Sequence, residues 1–187
     1  IFSAHKKHIT MKNIYLLTIL SMFLISCNMH TQKQMENTNE PTVIGSAMMA
    51  DGTINPIIGG DVNLEQIWID YVAAHNDRDL DKIAEINTDD WEGYTPDGTV
   101  IKGNEAHIIF LDNWFKTSNP KWKISWMVAN ASNNEEGKLT QWLTTGNDYT
   151  DTDEDGNEVL EHHIHDIEFD NGKIKKVNVY SRTSVQE

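Results

Sequence analysis

The chain has 187 residues, and its 29 Asp and Glu outnumber its 15 Lys and Arg, for a formal charge of −14. A surface of that sign repels phosphate backbones and anionic headgroups, which argues against a nucleic-acid partner and against charge-driven membrane contact. A single cysteine excludes an internal disulfide and a cysteine-built zinc site.

Residues 1–10 precede the first methionine, Met11, and read as an over-extended start. From Met11 the pattern is secretory: Lys12 supplies a positive charge and Ile14 to Ile25 run almost unbroken as an apolar stretch. A bilayer-spanning helix needs about 20 residues, so this stretch is short for one. It ends in Leu24-Ile25-Ser26-Cys27, which resembles the bacterial lipobox. That resemblance implies a lipoprotein signal peptide over 11–26 and a lipidated Cys27, with an ordinary cleaved signal as the alternative. It also implies a place in the cell envelope, at the outer membrane or periplasmic face of a Gram-negative source. Membrane contact is then through the lipid anchor only, and several acyl chains would hold where one would not. Acylation would leave no thiol for catalysis. All 29 acidic residues and 12 of the 15 basic ones follow Cys27, so the mature chain carries −17.

Residues 27–61 are polar and punctuated by Pro41, Gly45, Pro56 and Gly59-Gly60. They are expected to form a flexible tether, with an apolar patch over 54–58 docking on a domain at 62–187. In that domain Asn63 is placed to cap a helix, with Gln66 completing a capping-box-like pattern. Leu64, Ile67, Trp68, Tyr71, Val72 and His75 follow at helical spacing. Asp79 caps a second, short helix carrying Leu80, Ile83 and Ile86. A strand over 91–95 turns at Pro96-Asp97-Gly98 into a short return through Val100 and Ile101. Gly103 opens a third helix with His107, Phe110, Leu111, Trp114 and Phe115 in one stripe, stopped by Asn119-Pro120. From Lys121 the period becomes two, which groups Trp122, Ile124, Trp126 and Val128 on one strand face. Further strands are expected over about 139–149 and 159–169. A last one, over 174–182, follows the hairpin signal Asn171-Gly172. Helices gathered on one side of an antiparallel sheet make an α+β domain.

Three passages carry a family resemblance. They are Tyr71-Val72-Ala73-Ala74-His75-Asn76-Asp77-Arg78-Asp79, then Asp89-Asp90-Trp91 leading to Pro96-Asp97-Gly98 and Gly103, and finally Phe169-Asp170-Asn171-Gly172-Lys173-Ile174. In this order over about 120 residues the chain resembles the SnoaL-like branch of the nuclear-transport-factor-2-like superfamily. The resemblance implies a conical, curved antiparallel sheet packed against about three N-terminal helices. It also implies a pocket under those helices and a homodimer through the outer sheet face. The family holds isomerases, dehydratases, hydrolases and polyketide cyclases, along with many members without known chemistry. Fold therefore does not settle function.

The densest constellation of reactive side chains is Glu161-His162-His163-Ile164-His165-Asp166. Alternation puts His163 and His165 on one face with Ile167 and Phe169, and His162, Ile164 and Asp166 on the other. If Ile167 and Phe169 face the helices, His163 and His165 line the pocket as acid–base candidates, with Asp166 nearby. A polar pocket wall or a partly solvated dimer face is the plainer reading. Tyr71, Trp114 and His107 are the candidate ligand-binding residues, from the helices that roof the pocket. A metal shared by His163 and His165, with His75 or His107 as third ligand, is the weaker alternative, and no metal is expected. Asp151-Thr152-Asp153-Glu154-Asp155-Gly156 resembles the start of a calcium loop. Its twelfth position is His162 rather than Glu and its flanks are strands, so it reads as an acidic turn. No phosphate loop, nucleophile elbow or dinucleotide fingerprint is present, and no cofactor is expected.

Three functions remain open. The leading one is a lipid-anchored domain binding a small, largely apolar molecule in a conical pocket. The others are a cofactor-free isomerase, dehydratase or hydrolase using pocket His and Asp, and a non-catalytic dimeric interaction module.

Overall fold

The computed structural model describes residues 40–152 and 156–184, so the signal-like segment and Cys27 lie outside the described residues. Helix α1 (Leu64–Asp77) buries Leu64, Trp68, Tyr71, Val72 and His75, one stripe at the helical repeat. Its start differs from the capping box. Asn63 is already helical and donates to Asp61 Oδ1, while Gln66 donates to Asp70. Asp61, two residues earlier, therefore organises the turn.

The end of α1 is sharper. The N–H of Asp79 reaches the carbonyl of Ala74 and that of Arg78 reaches His75, a Schellman closure with Arg78 left-handed at φ 63°. Left-handed backbone costs a non-glycine residue roughly 1–2 kcal/mol. The Arg78 side chain offsets this by donating to His75 O, Asn119 Oδ1 and Pro120 O, with its guanidinium 4.2 Å over the Phe115 ring. Asp79 then caps α2 (Leu80–Ile86), its Oδ1 accepting from the Lys82 N–H at 2.9 Å.

The remaining elements are β3 (Asn87–Tyr94), β4 (Val100–Lys102), α3 (Asn104–Thr117), β5 (Lys121–Asn133), β6 (Leu139–Thr152), β7 (Glu158–Asp170) and β8 (Lys173–Thr183). Before α1 stand two strands not expected from the sequence, β1 (Val43–Met48) and β2 (Ile54–Gly59). This corrects the tether over 43–59. The two pair antiparallel around Asp51-Gly52, and Ile58 and Gly59 pair with Ala131 and Asn130 of β5. Gly60 lets the chain pass this close, because a Cβ there would stand 2.6 Å from the Asn130 backbone.

The eight strands form one curved, unclosed sheet in the order β1-β2-β5-β6-β7-β8-β3-β4. Every pairing is antiparallel except β3 with β8. The core joins Trp68, Tyr71 and Val72 of α1 and Leu111 of α3 to Leu143, Ile167, Phe169 and Ile174 of the sheet. This is the α+β arrangement expected, with three helices against a curved, mainly antiparallel sheet.

One register expectation fails. A bulge between Ile124 and Trp126 of β5 breaks the alternation. Trp122 and Ile124 face the helices, but after the bulge Met127 and Ala129 do so, and Trp126 and Val128 turn outward to stand half exposed. No helix among the described residues is long and apolar enough to cross a membrane.

Candidate ligand-binding site

The curved sheet and the helices line an open-mouthed cavity of about 450 Å3. Its walls come from alternate positions on each strand. His163 and His165 of β7, Tyr149 of β6, Trp122 of β5 and Val177 and Val179 of β8 all point inward. The helices contribute Trp68, Tyr71 and His75 from α1, and His107, Phe110 and Trp114 from α3. Pro96 and Asp97, from the turn after β3, also line it.

Seven of these side chains form a closed belt. The ring centroids run Trp122–Tyr149 5.4 Å, Tyr149–His163 4.6 Å, His163–His165 5.7 Å and His165–Trp68 5.2 Å. They continue Trp68–Tyr71 5.4 Å, Tyr71–His75 4.3 Å and His75–Trp122 5.8 Å. Two spurs extend it. His107 packs near His75 and stacks on Trp91 at 3.7 Å, and Trp114 meets Trp122 edge-on at 5.7 Å. Gly93 makes the Trp91 stack possible, since a Cβ there would stand 2.3 Å from the Trp91 ring.

The partners of the four lining histidines fix their tautomers. His75 Nδ1–H donates to the Tyr71 carbonyl at 2.8 Å. His107 Nδ1 accepts from Asn87 Nδ2 and His165 Nδ1 accepts from Asn147 Nδ2, which leaves each proton on Nε2. His163 Nε2–H donates to Glu161 Oε2 at 2.8 Å, and its buried Nδ1 has no partner. Burial disfavours the charged form of all four. It lowers His75 to about 4 and His165 to about 3, and holds His107 well below its usual range. In His163 desolvation is again the largest influence, opposed by the Glu161 carboxylate. Burial likewise raises the Tyr71 and Tyr149 phenols, so both stay protonated.

The structure separates the sequence-predicted residues. Tyr71, Trp114 and His107 all line the cavity, as do His163 and His165. The two β7 histidines are not equivalent, however. His163 has a carboxylate partner that supports protonation, whereas His165 is deep and strongly neutral. Asp166 is a correction. It lies on the opposite face of β7, bonded to Thr144 Oγ1 at 2.8 Å, and cannot reach a group in the cavity. On the same face, two in-phase positions away, His162 sits between Asp148 and Ser184 at 2.9 Å each, outside the cavity.

Glu161, Tyr149 and Trp122 are lining residues to which the sequence reading gave no role. Glu161 was legible, because it shares phase with His163 and His165. Tyr149 became a neighbour of His163 only through the β6–β7 register, which pairs Asn147 with His163 and Tyr149 with Glu161.

The calcium-loop residues Asp153 to Asp155 lie outside the described residues. Asp151 is committed elsewhere. Its carboxylate accepts from Ser118 Oγ, the Asn119 and Thr152 N–H groups and the Tyr149 hydroxyl, fastening the end of α3 to β6. Among the described residues no group of three or more His, Cys, Asp or Glu is arranged to hold a metal ion.

No family model matches the sequence, and no curated protein does either. Solved structures match the fold. An NTF2-like protein of unknown function from Burkholderia pseudomallei superposes with a TM-score of 0.54 at 16% identity, over 65% of this chain and 92% of that one. An LEH-like epoxide hydrolase from M. tuberculosis superposes with a TM-score of 0.52 at 15% identity, over 64% of this chain and 82% of that one. At such identities the likeness is one of fold, the NTF2-like α+β cone, over about two thirds of this chain.

Proposed function

We propose that this domain binds a small, largely apolar molecule in the cone. The observation that carries the proposal is the closed belt of seven rings around a cavity of about 450 Å3. Binding sites of this size are typically apolar and aromatic, with a few polar groups that fix orientation. Here those groups are His163 with Glu161 and His165 with Asn147.

Because Trp68, Trp91, Trp114 and Trp122 line the cavity, occupancy is readable as tryptophan quenching in the full chain. Titration with 2-naphthol, indole and cyclohexanol should give saturable quenching by at least one of them. Trp114→Ala should weaken it severalfold. A folded protein with no saturable response to any of the three would overturn the reading.

A second reading is a cofactor-free isomerase, dehydratase or hydrolase, and the His163–Glu161 pair favours it. A carboxylate that orients an imidazole and supports its protonation makes that imidazole the better proton acceptor of the four. In this version Glu161 positions and His163 moves the proton. Once a turnover assay exists, His163→Gln should abolish activity and shift the acid limb of any remaining pH profile. Full retention ends this version.

Location and assembly belong to the same proposal. The lipobox-like Leu24 to Cys27 supports a lipid anchor in the cell envelope. Labelling with radioactive palmitate should mark the wild type and not Cys27→Ala, and equal labelling would exclude it. A homodimer is supported by a row across the outer face, in which Trp126, Gly146, Ile164 and Tyr180 are successive cross-strand partners. Tyr180 is 61% exposed and Trp126 46%. Ile164→Lys should give a monomer in sedimentation velocity. A wild-type monomer removes the dimer, and with it the version in which the cone serves only as a dimerisation scaffold.

A further inference from the structure

We infer that the ligand of this cavity carries a positive charge, as an amine or quaternary ammonium on an aromatic or aliphatic body. The inference rests on the ligand-binding reading above and adds its charge.

Four observations carry it. The first is the wall itself. Trp68, Trp91, Trp114, Trp122, Tyr71 and Tyr149 surround one space, and indole and phenol faces attract cations through their quadrupoles. The second is that, among the described residues, neither Lys nor Arg lines the cavity. A carboxylate or phosphate on the ligand would therefore be buried without a counter-charge, an arrangement that costs heavily. The third is that, among the described residues, the formal charges lining the space are those of Glu161 and Asp97. His163 takes one acceptor site of Glu161, and a carboxylate offers about four. Asp97 accepts from Thr95 Oγ1 and the Thr99 N–H, which holds its carboxylate in place. The fourth is that burial disfavours the charged form of all four lining histidines, so it works against any opposing positive charge there.

The anionic chain works in the same direction. A formal charge of −14 concentrates cations near the surface and speeds their capture at low salt. The acidity of the chain thus suits a cationic ligand.

The test uses a matched pair of the same shape, phenyltrimethylammonium and tert-butylbenzene, with benzoate as the anion. All three are titrated into the full chain with tryptophan quenching and calorimetry as readouts. The cation should bind at least tenfold more tightly than tert-butylbenzene, and benzoate most weakly. Glu161→Gln should reduce the cation's advantage over tert-butylbenzene about tenfold. If the neutral compound binds as tightly as the cation, the inference is overturned and the ligand-binding reading stands. An advantage unaffected by Glu161→Gln likewise overturns the role given to that carboxylate. Should Glu161→Gln fold poorly, the wild-type comparison of cation and neutral isostere still decides the charge. Failure of all three compounds overturns this inference, and failure of 2-naphthol, indole and cyclohexanol as well removes the ligand-binding reading with it.

Discussion

The Tyr149 ring lies flat against the ring of His163, with centroids 4.6 Å apart and planes 12° from parallel. Its hydroxyl points the other way, donating to Asp151 Oδ2 at 2.8 Å. One side chain thus joins the cavity wall to the fastening at the end of α3. Its two roles should separate. Tyr149→Phe loses only the hydroxyl bond, which contributes about 1 kcal/mol and corresponds to roughly 2–4 °C in Tm for a domain of this size. Its ligand affinity should stay within twofold of wild type. Tyr149→Ala should lose the same stability and more, and should also weaken quenching by the best ligand severalfold. Equal affinities for wild type and Tyr149→Ala would show that this part of the belt does not touch the ligand.

Arg78 offers a comparison of backbone against side chain. Arg78→Ala keeps the left-handed backbone and loses the three hydrogen bonds and the Phe115 contact. Arg78→Gly loses the same contacts but relieves the backbone strain of about 1–2 kcal/mol. Glycine's extra unfolded-state freedom returns up to about 1 kcal/mol of that. Both variants should be less stable than wild type in urea unfolding, with Arg78→Gly the more stable of the two by up to about 1 kcal/mol. The reverse order would mean that φ 63° carries little strain here.

Two glycines under tryptophans separate the cavity from the outer face. A Cβ on Gly93 would stand 2.3 Å from the Trp91 ring, and one on Gly146 would stand 2.2 Å from Trp126 Nε1. Gly93→Ala must displace Trp91 from its stack on His107, at a cost of about 1–3 kcal/mol typical of overpacking. Its near-UV dichroism and ligand quenching should change together. Gly146→Ala swings out a half-exposed indole on the opposite face, so its effect on ligand binding should be negligible. Wild-type dichroism in Gly93→Ala would contradict the packing described.

These contrasts also show what could be read along the chain. Asp79 as a cap, Gly103 at a helix start and Asn171-Gly172 at a hairpin are local signals, and each holds. Alternation was enough to send His163 and His165 inward and Asp166 outward. The failures are non-local. The bulge after Ile124 depends on how β5 matches β6, so Trp126 was assigned to the wrong face. The β1–β2 hairpin carried its own Asp51-Gly52 turn signal. Its strands expose Val43, Met48 and Ile54, however, and the sequence there lacks the alternation of a half-buried strand. The ring belt could not be read at all, because it joins α1, β5, β6 and β7 through tertiary packing.

The lining histidines make stability depend on pH in a window apart from that of Asp151. His75 and His165 are lowered from 6.5 to about 4 and about 3 by burial. Between those values and 6.5 the unfolded chain binds protons at these positions and the folded chain does not. Unfolding therefore takes up protons, and stability falls as pH falls. The contribution is fully present above pH 6.5 and declines below it. The limit is about 1.4 kcal/mol per pH unit for each histidine. Asp151, which burial pushes up but the hydrogen bonds it accepts together bring below its ordinary value, loses its contribution only at lower pH, below 3.8. Urea unfolding at pH 7.5, 6.5 and 5.5 should show little change over the first step and a loss on the order of 1–3 kcal/mol over the second. His165→Asn removes one titrating group and should flatten the second step while lowering stability at pH 7.5. Equal stability at pH 6.5 and 5.5 would mean that water reaches these rings. An unchanged slope in His165→Asn would place the titration elsewhere.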